Sequence, residues 1–377
     1  MSSEQVNALA AMVASSPIRR IKIVAWRDLD DPEAGGSELH AAEVLRRWSQ
    51  AGLDITQRTS AVAGLPQKTS RDGYTVIRKD GRYRVFADVF KEGIRGARAD
   101  YDAVVEIWNG MPFFSPLWFR GPRSVWLHHV HGEMWQMTLP GFLGRVGWFV
   151  EHRFAPLFYR RSMIATLSTS SEQEIHERLG LRRTAVIPPG ISETFRPGVS
   201  KSSEPLVVAV GRLVPVKRFD VLIREFAAAH SSVPSARLVI AGEGYLRGDL
   251  ESLIDGLGAN DYISLVGRVS DQELLRLYQE AWVVTSASLR EGWGMSLTEA
   301  AACGTPVVAS DIAGHRDAVA QGRSGLLVSD SDIGATLVQV LQDDHLRQEL
   351  SHGARQFAEE LSWDNTALRL FDLLNRR

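Results

Sequence analysis

Cysteine is nearly absent from the 377 residues. The single thiol, Cys303, excludes an internal disulfide and sits in an apolar run, so a reducing cytoplasm is the expected compartment. Long apolar runs are also missing. Uncharged stretches such as residues 107–119 fall well short of the roughly 18 residues that a membrane span needs. Residues 6–14 are mildly apolar, but no basic segment precedes them as in a secretory signal, and residues 1–16 read as a frayed tail or a short helix. Charge of one sign is lacking as well. Lysine plus arginine number 43 against 45 acids, so no global cationic field exists to gather nucleic acid, which is not an expected partner. Neither a fixed-period repeat nor a low-complexity tract is found. What is present is 44% hydrophobic and 23% charged residues, enough for sizeable cores in a soluble protein, and the length predicts two domains or three small ones.

Short β-branched runs alternate with longer helix-period segments, the pattern of parallel strands joined by helical crossovers. In the first half strands are expected at 21–26, 83–86, 103–107, 124–127 and 163–167, with a helix at about 37–51 that stops at Gly52. Pro188, Pro189, Gly190, Pro197, Gly198 and the polar run 201–205 mark a linker. Alternation then restarts with strands at 206–210, 238–241, 263–266, 283–286 and 306–309, a second Rossmann-like domain. Residues 354–374 are helical in period. The expected division is 1–196 and 197–356, with residues from about 357 to 377 completing the first domain.

The second domain opens with a strand, then Gly211-Arg212-Leu213-Val214-Pro215-Val216-Lys217. A glycine turn delivering two cations at a strand's carboxyl end suits a diphosphate, where open α/β sheets bind ligands. As isolated residues the two would be solvated loop cations. Downstream lies Glu291-Gly-Trp-Gly-Met-Ser-Leu-Thr-Glu299, followed by Ala300-Ala-Ala-Cys-Gly304. The glycines between the acids place Glu291 in a loop and start a helix near Ser296 that ends at Gly304. Backbone N–H groups of residues 294–296 then face outward for an anion, Glu299 on the first turn can take both hydroxyls of a ribose, and Glu291 can address a sugar beyond the phosphates. Taken singly, both glutamates read as surface acids.

These motifs, in this order, make the sequence similar to the retaining glycosyltransferases of family 4. The resemblance rests on the E-x7-E pair Glu291 and Glu299, on Gly211, Arg212 and Lys217, on Val266-Gly267-Arg268-Val269 and on Gly304-Thr305-Pro306-Val307-Val308; it spans nearly the whole chain. It implies the B-type fold: two Rossmann-like parallel-sheet α/β domains facing a cleft, with the C-terminal helix crossing back near Ser362-Trp363. It further implies that the second domain holds a UDP- or GDP-sugar, with Arg212 and Lys217 on the diphosphate, Glu299 on the ribose, Glu291 on the transferred hexose, and Gly267 and Val269 in the loop beside the base. Gly292 and Trp293 lie within the motif, Trp293 where phenylalanine is commoner, and Gly294, Met295, Ser296 and Leu297 contact phosphate and sugar through the main chain. The sequence departs from the family's pattern at Ala313-Gly314-His315-Arg316-Asp317, where a second glycine and a Pro-Glu pair are usual.

In the first domain, Gly35-Gly36-Ser37-Glu38 opens the helix after the first strand. Its glycines either admit a ligand to the backbone or simply begin a helix capped by Ser37. The family resemblance places Gly35 and Gly36 beside the donor phosphates and acceptor. His128, His129 and His131 follow the strand at 124–127. A metal site would need three or four convergent ligands, with Glu133 the nearby fourth, but consecutive residues on an extended segment point to opposite sides. Capping or packing is the plain alternative. Resemblance implies a histidine close to the reacting carbon, His128 by counting from Pro122 and His131 by the competing alignment. Residues 113–159 are rich in Trp and Phe beside Arg120, Arg123, Arg145, Arg153, Arg160 and Arg161; they either fill a core or touch an anionic membrane peripherally.

The expected activity is metal-independent, cofactor-free transfer of a hexose to a hydroxyl of a sugar, a lipid-linked acceptor or a small molecule, with retention implied by the family. No Asp-x-Asp metal motif is read in a suitable loop, Asp30-Asp31 and Asp343-Asp344 being adjacent pairs. Two alternatives are an NAD-dependent oxidoreductase, against which Arg247 stands where the third glycine after Gly242 and Gly244 should fall, and a non-catalytic nucleotide-binding scaffold.

Overall fold

A computed structural model describes residues 3–96, 100–132, 134–139, 141–198 and 200–376. The chain forms two units, Met1–Gly190 with Trp363–Arg377, and Ile191–Ser362. The division at 190/191 precedes the expected 196/197, and the chain re-enters the first unit at Trp363 rather than about 357.

In the first unit, β1 (Arg20–Val24), β2 (Asp54–Thr59), β3 (Lys68–Arg71), β4 (Tyr74–Arg78), β5 (Ala103–Ile107), β6 (Arg123–Trp126), β7 (Met163–Thr166) and β8 (Thr184–Val186) form one sheet in the order β3-β4-β2-β1-β5-β6-β7-β8. Every pairing is parallel except β3 with β4. Strand order reverses direction at β1, so the crevice beyond the carboxyl ends of β1 and β5 is the topological switch point. The helix Gly36–Gln50 buries Ala41, Val44, Leu45 and Trp48 on the sheet, because they recur at three- and four-residue spacing. Gly52 stops the segment with φ +99°, a conformation that L side chains rarely adopt.

The amino-terminal residues form a helix, Ser3–Ser15, whose Leu9 and Val13 enter the core. They meet the terminal helix Trp363–Asn375, which supplies Leu370, Phe371 and Leu374. Trp48 Nε1 donates to the Ala367 carbonyl at 2.9 Å, and the ring of Trp48 meets that of Phe371 edge-on. The single helical period expected over 354–374 is therefore two helices, Asp344–Glu359 and Trp363–Asn375. The expected strand at 83–86 is also corrected: Val85, Val89 and Gly93 are buried at four-residue spacing in a helix, Val85–Ile94.

The second unit pairs β9 (Leu206–Val210), β10 (Arg237–Ala241), β11 (Ile263–Gly267), β12 (Val283–Ser286), β13 (Val307–Ser310) and β14 (Gly325–Val328) in the order β11-β10-β9-β12-β13-β14, all parallel. Counted from β9, this is the doubly wound order 3-2-1-4-5-6. Both sheet faces are covered, one by Leu222, Ile223, Phe226, Ile254 and Leu337, the other by Tyr278, Leu297 and Ala300. The switch point of this sheet lies between β9 and β12.

Candidate functional site

The loops after β9 and β12 meet at that switch point. Gly211 N–H donates to the Ala241 carbonyl at 3.0 Å, Leu213 N–H to the Glu243 carbonyl at 2.9 Å, and Leu289 N–H to the Val216 carbonyl at 2.8 Å. The backbones are closely apposed because Gly242 and Gly244 lack side chains. A Cβ at Gly242 would stand 1.9 Å from the Gly211 carbonyl oxygen, and one at Gly244 would stand 2.3 Å from that of Leu213. These are the glycines of the incomplete dinucleotide fingerprint, and their space is taken by protein backbone.

The loop pairing brings Lys217 onto Glu291, Nζ to Oε1 at 2.5 Å, with Ser288 Oγ donating to the same oxygen at 2.8 Å. Burial pushes the Glu291 carboxyl up, but the Lys217 ammonium, His315 and the bonds from Lys217 and Ser288 outweigh it and hold the group below the usual carboxylate range. Arg212 is exposed and, among the described residues, pairs with no carboxylate. Within residues 313–317, a Cβ at Gly314 would fall 2.2 Å from the Glu291 carbonyl oxygen, so glycine there lets the two segments touch. His315 is buried with Nδ1 2.8 Å from the Ser310 carbonyl oxygen.

Gly294, at φ +113°, caps the helix Met295–Ala302, and Gly304 follows its end at φ +72°. Met295 and Ser296 are half-buried, whereas Leu297 and Trp293 are buried; among the described residues the Trp293 indole N–H has no partner. Glu299 falls in the second helical turn rather than the first, and its Oε2 accepts from Tyr278 Oη at 3.1 Å. Burial raises this carboxyl to about 7 against the pull of the Tyr278 hydrogen bond. The two glutamates thus sit in different surroundings, one charged against a lysine and one half-protonated near neutrality. Gly267 turns at φ +76°, where a Cβ would come 2.7 Å from Glu243 Oε1, and Val269 is half-buried just beyond it. Gly292 is half-buried between Glu291 and Trp293.

In the first unit the switch point forms a small cavity lined by Ala25, Trp26, Arg27, Ser37, Glu38, Ala41, Ile107 and Asn109. Gly35, not Ser37, occupies the helix cap, and its N–H donates to Glu38 Oε2 at 2.8 Å. Ser37 Oγ donates to the same oxygen at 2.9 Å and accepts from Asn109 Nδ2 at 3.2 Å, while Arg27 Nε reaches Glu38 Oε1 at 3.2 Å. Gly36, the first helical residue, is exposed.

The three histidines part company. His128 turns into the core, its Nε2 3.2 Å from His40 Nδ1 beside Trp126, and burial holds both rings neutral, His40 at about 3. His129 and His131 instead stack on one another at 4.9 Å, and the His131 ring lies against Gly110, next to the cavity residue Asn109. Glu133 lies outside the described residues. Among the described residues no three His, Cys, Asp or Glu groups are placed to share a metal ion.

Several acids take on roles that the sequence did not reveal. Glu151 is wholly buried and accepts from His131 N–H at 2.9 Å, Gly132 N–H at 3.1 Å and Trp135 Nε1 at 2.9 Å, so it shapes the histidine turn. Glu106, on β5, accepts from Phe113 N–H and Tyr159 Oη, both at 2.6 Å, and from Ser115 N–H at 3.0 Å, with burial pushing its carboxyl up. The triplet Asp28-Leu29-Asp30 does have Asp-x-Asp spacing, as does Asp330-Ser331-Asp332. Asp28 is committed to Arg78 and Asp30 to Arg78 and Arg71, while Asp330 pairs with Arg218.

Comparison with known proteins bears on this arrangement. The profile described as "Glycosyl transferases group 1" matches residues 191–357. A D-inositol 3-phosphate glycosyltransferase of Nocardiopsis dassonvillei is 32% identical over 403 residues, covering 92% of this chain and 91% of that protein. The chain belongs to the group 1 glycosyltransferases. The enzyme of the same description from Corynebacterium urealyticum is 37% identical over 214 residues, and there the match spans 51% of this chain and only 50% of the relative. Among solved structures, a sucrose-phosphate synthase from Thermosynechococcus elongatus superposes with a TM-score of 0.78 at 20% identity, covering 94% of this glycosyltransferase-family chain and 98% of the other. Anabaena HepE in complex with UDP-glucose gives 0.73 at 17% identity over 94% and 98%. These likenesses show the GT-B fold of two Rossmann-like α/β units. Among the described residues no helix is long and apolar enough to cross a membrane.

Proposed function

We propose that this chain moves a hexose from a nucleoside diphosphate sugar to a hydroxyl of a sugar, polyol or lipid-linked acceptor, retaining the anomeric configuration as family 4 enzymes do. The observation that carries the reading is the pairing of Lys217 with Glu291 beside exposed Arg212 at the switch point of the second sheet. As the glycosidic bond breaks, negative charge grows on the leaving diphosphate; Arg212, Lys217 and the start of the helix at Met295 stabilise it without requiring a metal. Entry of phosphate gives Lys217 a second anion and leaves Glu291, already ionised, to accept hydroxyl protons of the sugar. Glu299 takes the ribose. Names of relatives point to a phosphorylated cyclitol as one acceptor to try.

The test is thermal stability of the protein with UDP, GDP, ADP and NAD, with and without EDTA. A ligand at about one hundred times its dissociation constant adds about 2.7 kcal/mol, a rise of a few degrees. Stabilisation by one nucleoside diphosphate, unaffected by EDTA, is expected; stabilisation by NAD alone would overturn the donor assignment.

Glu299 predicts a proton signature. Its folded value of about 7 exceeds the ordinary 4.5, so the proton is held more tightly in the folded chain; the stability it contributes is complete below about 4.5 and is lost as pH rises through 7. Ribose hydroxyls donating to the carboxylate favour its charged form, so binding at pH 7 should release protons. Calorimetry in two buffers of different ionisation heat reads that release, which Glu299→Gln should abolish.

The surroundings of the histidines favour His131 over His128 as the group nearest the reacting carbon, because His128 is occupied with His40 inside the core. His131 is itself buried against His129 and Trp135, so His131→Ala should lower the melting temperature somewhat, but turnover of the folded chain by about 100-fold. His128→Ala should chiefly lower the melting temperature; the reverse pattern would return the role to His128.

A further inference from the structure

The helix Phe142–Phe149 continues through a wider turn at Val150–Phe154 into Pro156–Tyr159, and its polarity is inverted. Its inner face is built of small residues. A Cβ at Gly147 would stand 2.4 Å from the Trp135 ring, and one at Gly144 would stand 2.3 Å from the Leu139 carbonyl oxygen, so the helix lies tight against residues 135–139 only because glycines face inward. The large apolar side chains therefore point out. Phe142 is 74% exposed, Leu143 61%, Leu157 56% and Phe149 54%, with Val146, Trp148 and Phe154 exposed among them. Between residues 141 and 161 the only acid is Glu151, which is wholly buried beneath the histidine turn. Arg145, Arg153, Arg160 and Arg161 are all exposed, and among the described residues none of them pairs with a carboxylate.

Exposed large apolar side chains this concentrated along one helical stretch mark an interaction site. Charge decides what it takes. A second copy docked face to face about a two-fold axis would set four arginines against four with no acid between them. Nucleic acid would satisfy the arginines but leave the phenylalanines and leucines in water. A bilayer bearing anionic headgroups satisfies both: aromatic and aliphatic side chains enter the acyl boundary, and the arginine stems lie along it with guanidinium groups on lipid phosphates.

We infer that residues 142–161 dock this chain peripherally on an anionic lipid surface. The surface is independent of the transfer reaction, so its test uses no sugar donor. Full-length protein is floated with vesicles of phosphatidylcholine alone or mixed equally with phosphatidylglycerol. It should float with the anionic vesicles only, and less as salt rises. Arg145→Gln with Arg153→Gln should weaken binding by about 25-fold, roughly fivefold for each charge. Phe142→Ser with Phe149→Ser should weaken it by about tenfold or more. Both pairs lie on the exposed face, so unchanged melting temperatures accompany the expected result. Equal flotation with neutral and anionic vesicles, or variants that bind like the parent, would overturn the inference. So would a parent dimer in light scattering that the Phe142→Ser, Phe149→Ser chain loses, because the face would then belong to a second copy.

Discussion

Lys217→Ala should lower kcat by about two to three orders of magnitude, the range seen when one preorganised charge at a leaving group is removed. The ammonium sits 2.5 Å from Glu291 Oε1 on a loop tied to the next strand's loop by the Leu289 to Val216 hydrogen bond, so it is already in place before any donor arrives. Two consequences separate a catalytic loss from a structural one. KM for the donor should rise as well, because the same charge meets the ground-state diphosphate. The Glu291 carboxyl, held low by Lys217, should also move up, shifting the acid limb of the pH–rate profile to higher pH. Lys217→Arg should recover part of the rate, since the charge returns on a side chain of different shape. Steady-state kinetics across pH measure all three. A rate for Lys217→Ala within about threefold of the parent would remove Lys217 from the reaction and leave Arg212 as the cation of that loop not held by a carboxylate among the described residues, Arg218 being paired with Asp330.

Asp28→Ala should destabilise the first unit by about 3–5 kcal/mol, the usual cost of leaving one partner of a buried ion pair unpaired. Arg78 and Asp28 are almost wholly buried and joined by two hydrogen bonds, Nε to Oδ2 at 2.8 Å and Nη2 to Oδ1 at 2.7 Å. Thr59 Oγ1 adds a third bond to Asp28 at 3.2 Å. Removing the carboxylate strands a buried guanidinium on β4 with Asp30 and the Pro66 carbonyl beside it. At about 2–4 °C per kcal/mol for a unit of this size, the melting temperature should fall by roughly 10 °C. Asp28→Ala combined with Arg78→Met should recover much of the loss, because a buried pair replaced by apolar groups is often neutral. Calorimetry on the two variants and the parent closes the cycle. If the double variant melts no higher than Asp28→Ala, packing at residue 28 rather than charge is responsible.

That ion pair also explains what sequence reading could not reach. Strand β2 carries Gln57, Arg58 and Thr59 in buried positions, and β4 ends in buried Arg78, so neither shows the apolar run of a central strand. Arg58, Thr59 and Arg78 meet Asp28, Asp80 and Glu92, partners roughly 20 to 50 residues away in the chain, and no local pattern reports such pairs. The strand expected at 83–86 erred the other way: a short run of Tyr, Val and Phe fits a strand or a helix until Val89 and Gly93 are seen to share a face with Val85. The histidine segment shows the same limit. Alternation predicted that neighbouring histidines diverge, but both His128 and His131 are buried, and what each meets there depends on His40, on Gly110 and on Glu151, which gathers the turn by three hydrogen bonds.

By itself the sequence determined the second sheet nearly strand for strand, because parallel strands covered on both faces must be continuous apolar runs. It determined the loops that carry Arg212, Lys217 and Glu291, and the start of the helix that carries Glu299, for a related reason: glycine is favoured where backbone turns left-handed, as at Gly294, or touches backbone, as at Gly242 and Gly244, and those glycines punctuate the chain visibly. Tertiary structure alone decided the protonation of the two glutamates, since Lys217 lies 74 residues from Glu291 and Tyr278 comes to Glu299 from another helix. It alone decided which aromatic and aliphatic residues of 113–159 fill the core and which stand outside. Phe113, Trp118, Trp135 and Tyr159 are buried, while Phe142, Leu143 and Phe149 are pushed into solvent because glycines hold the inner face of their helix.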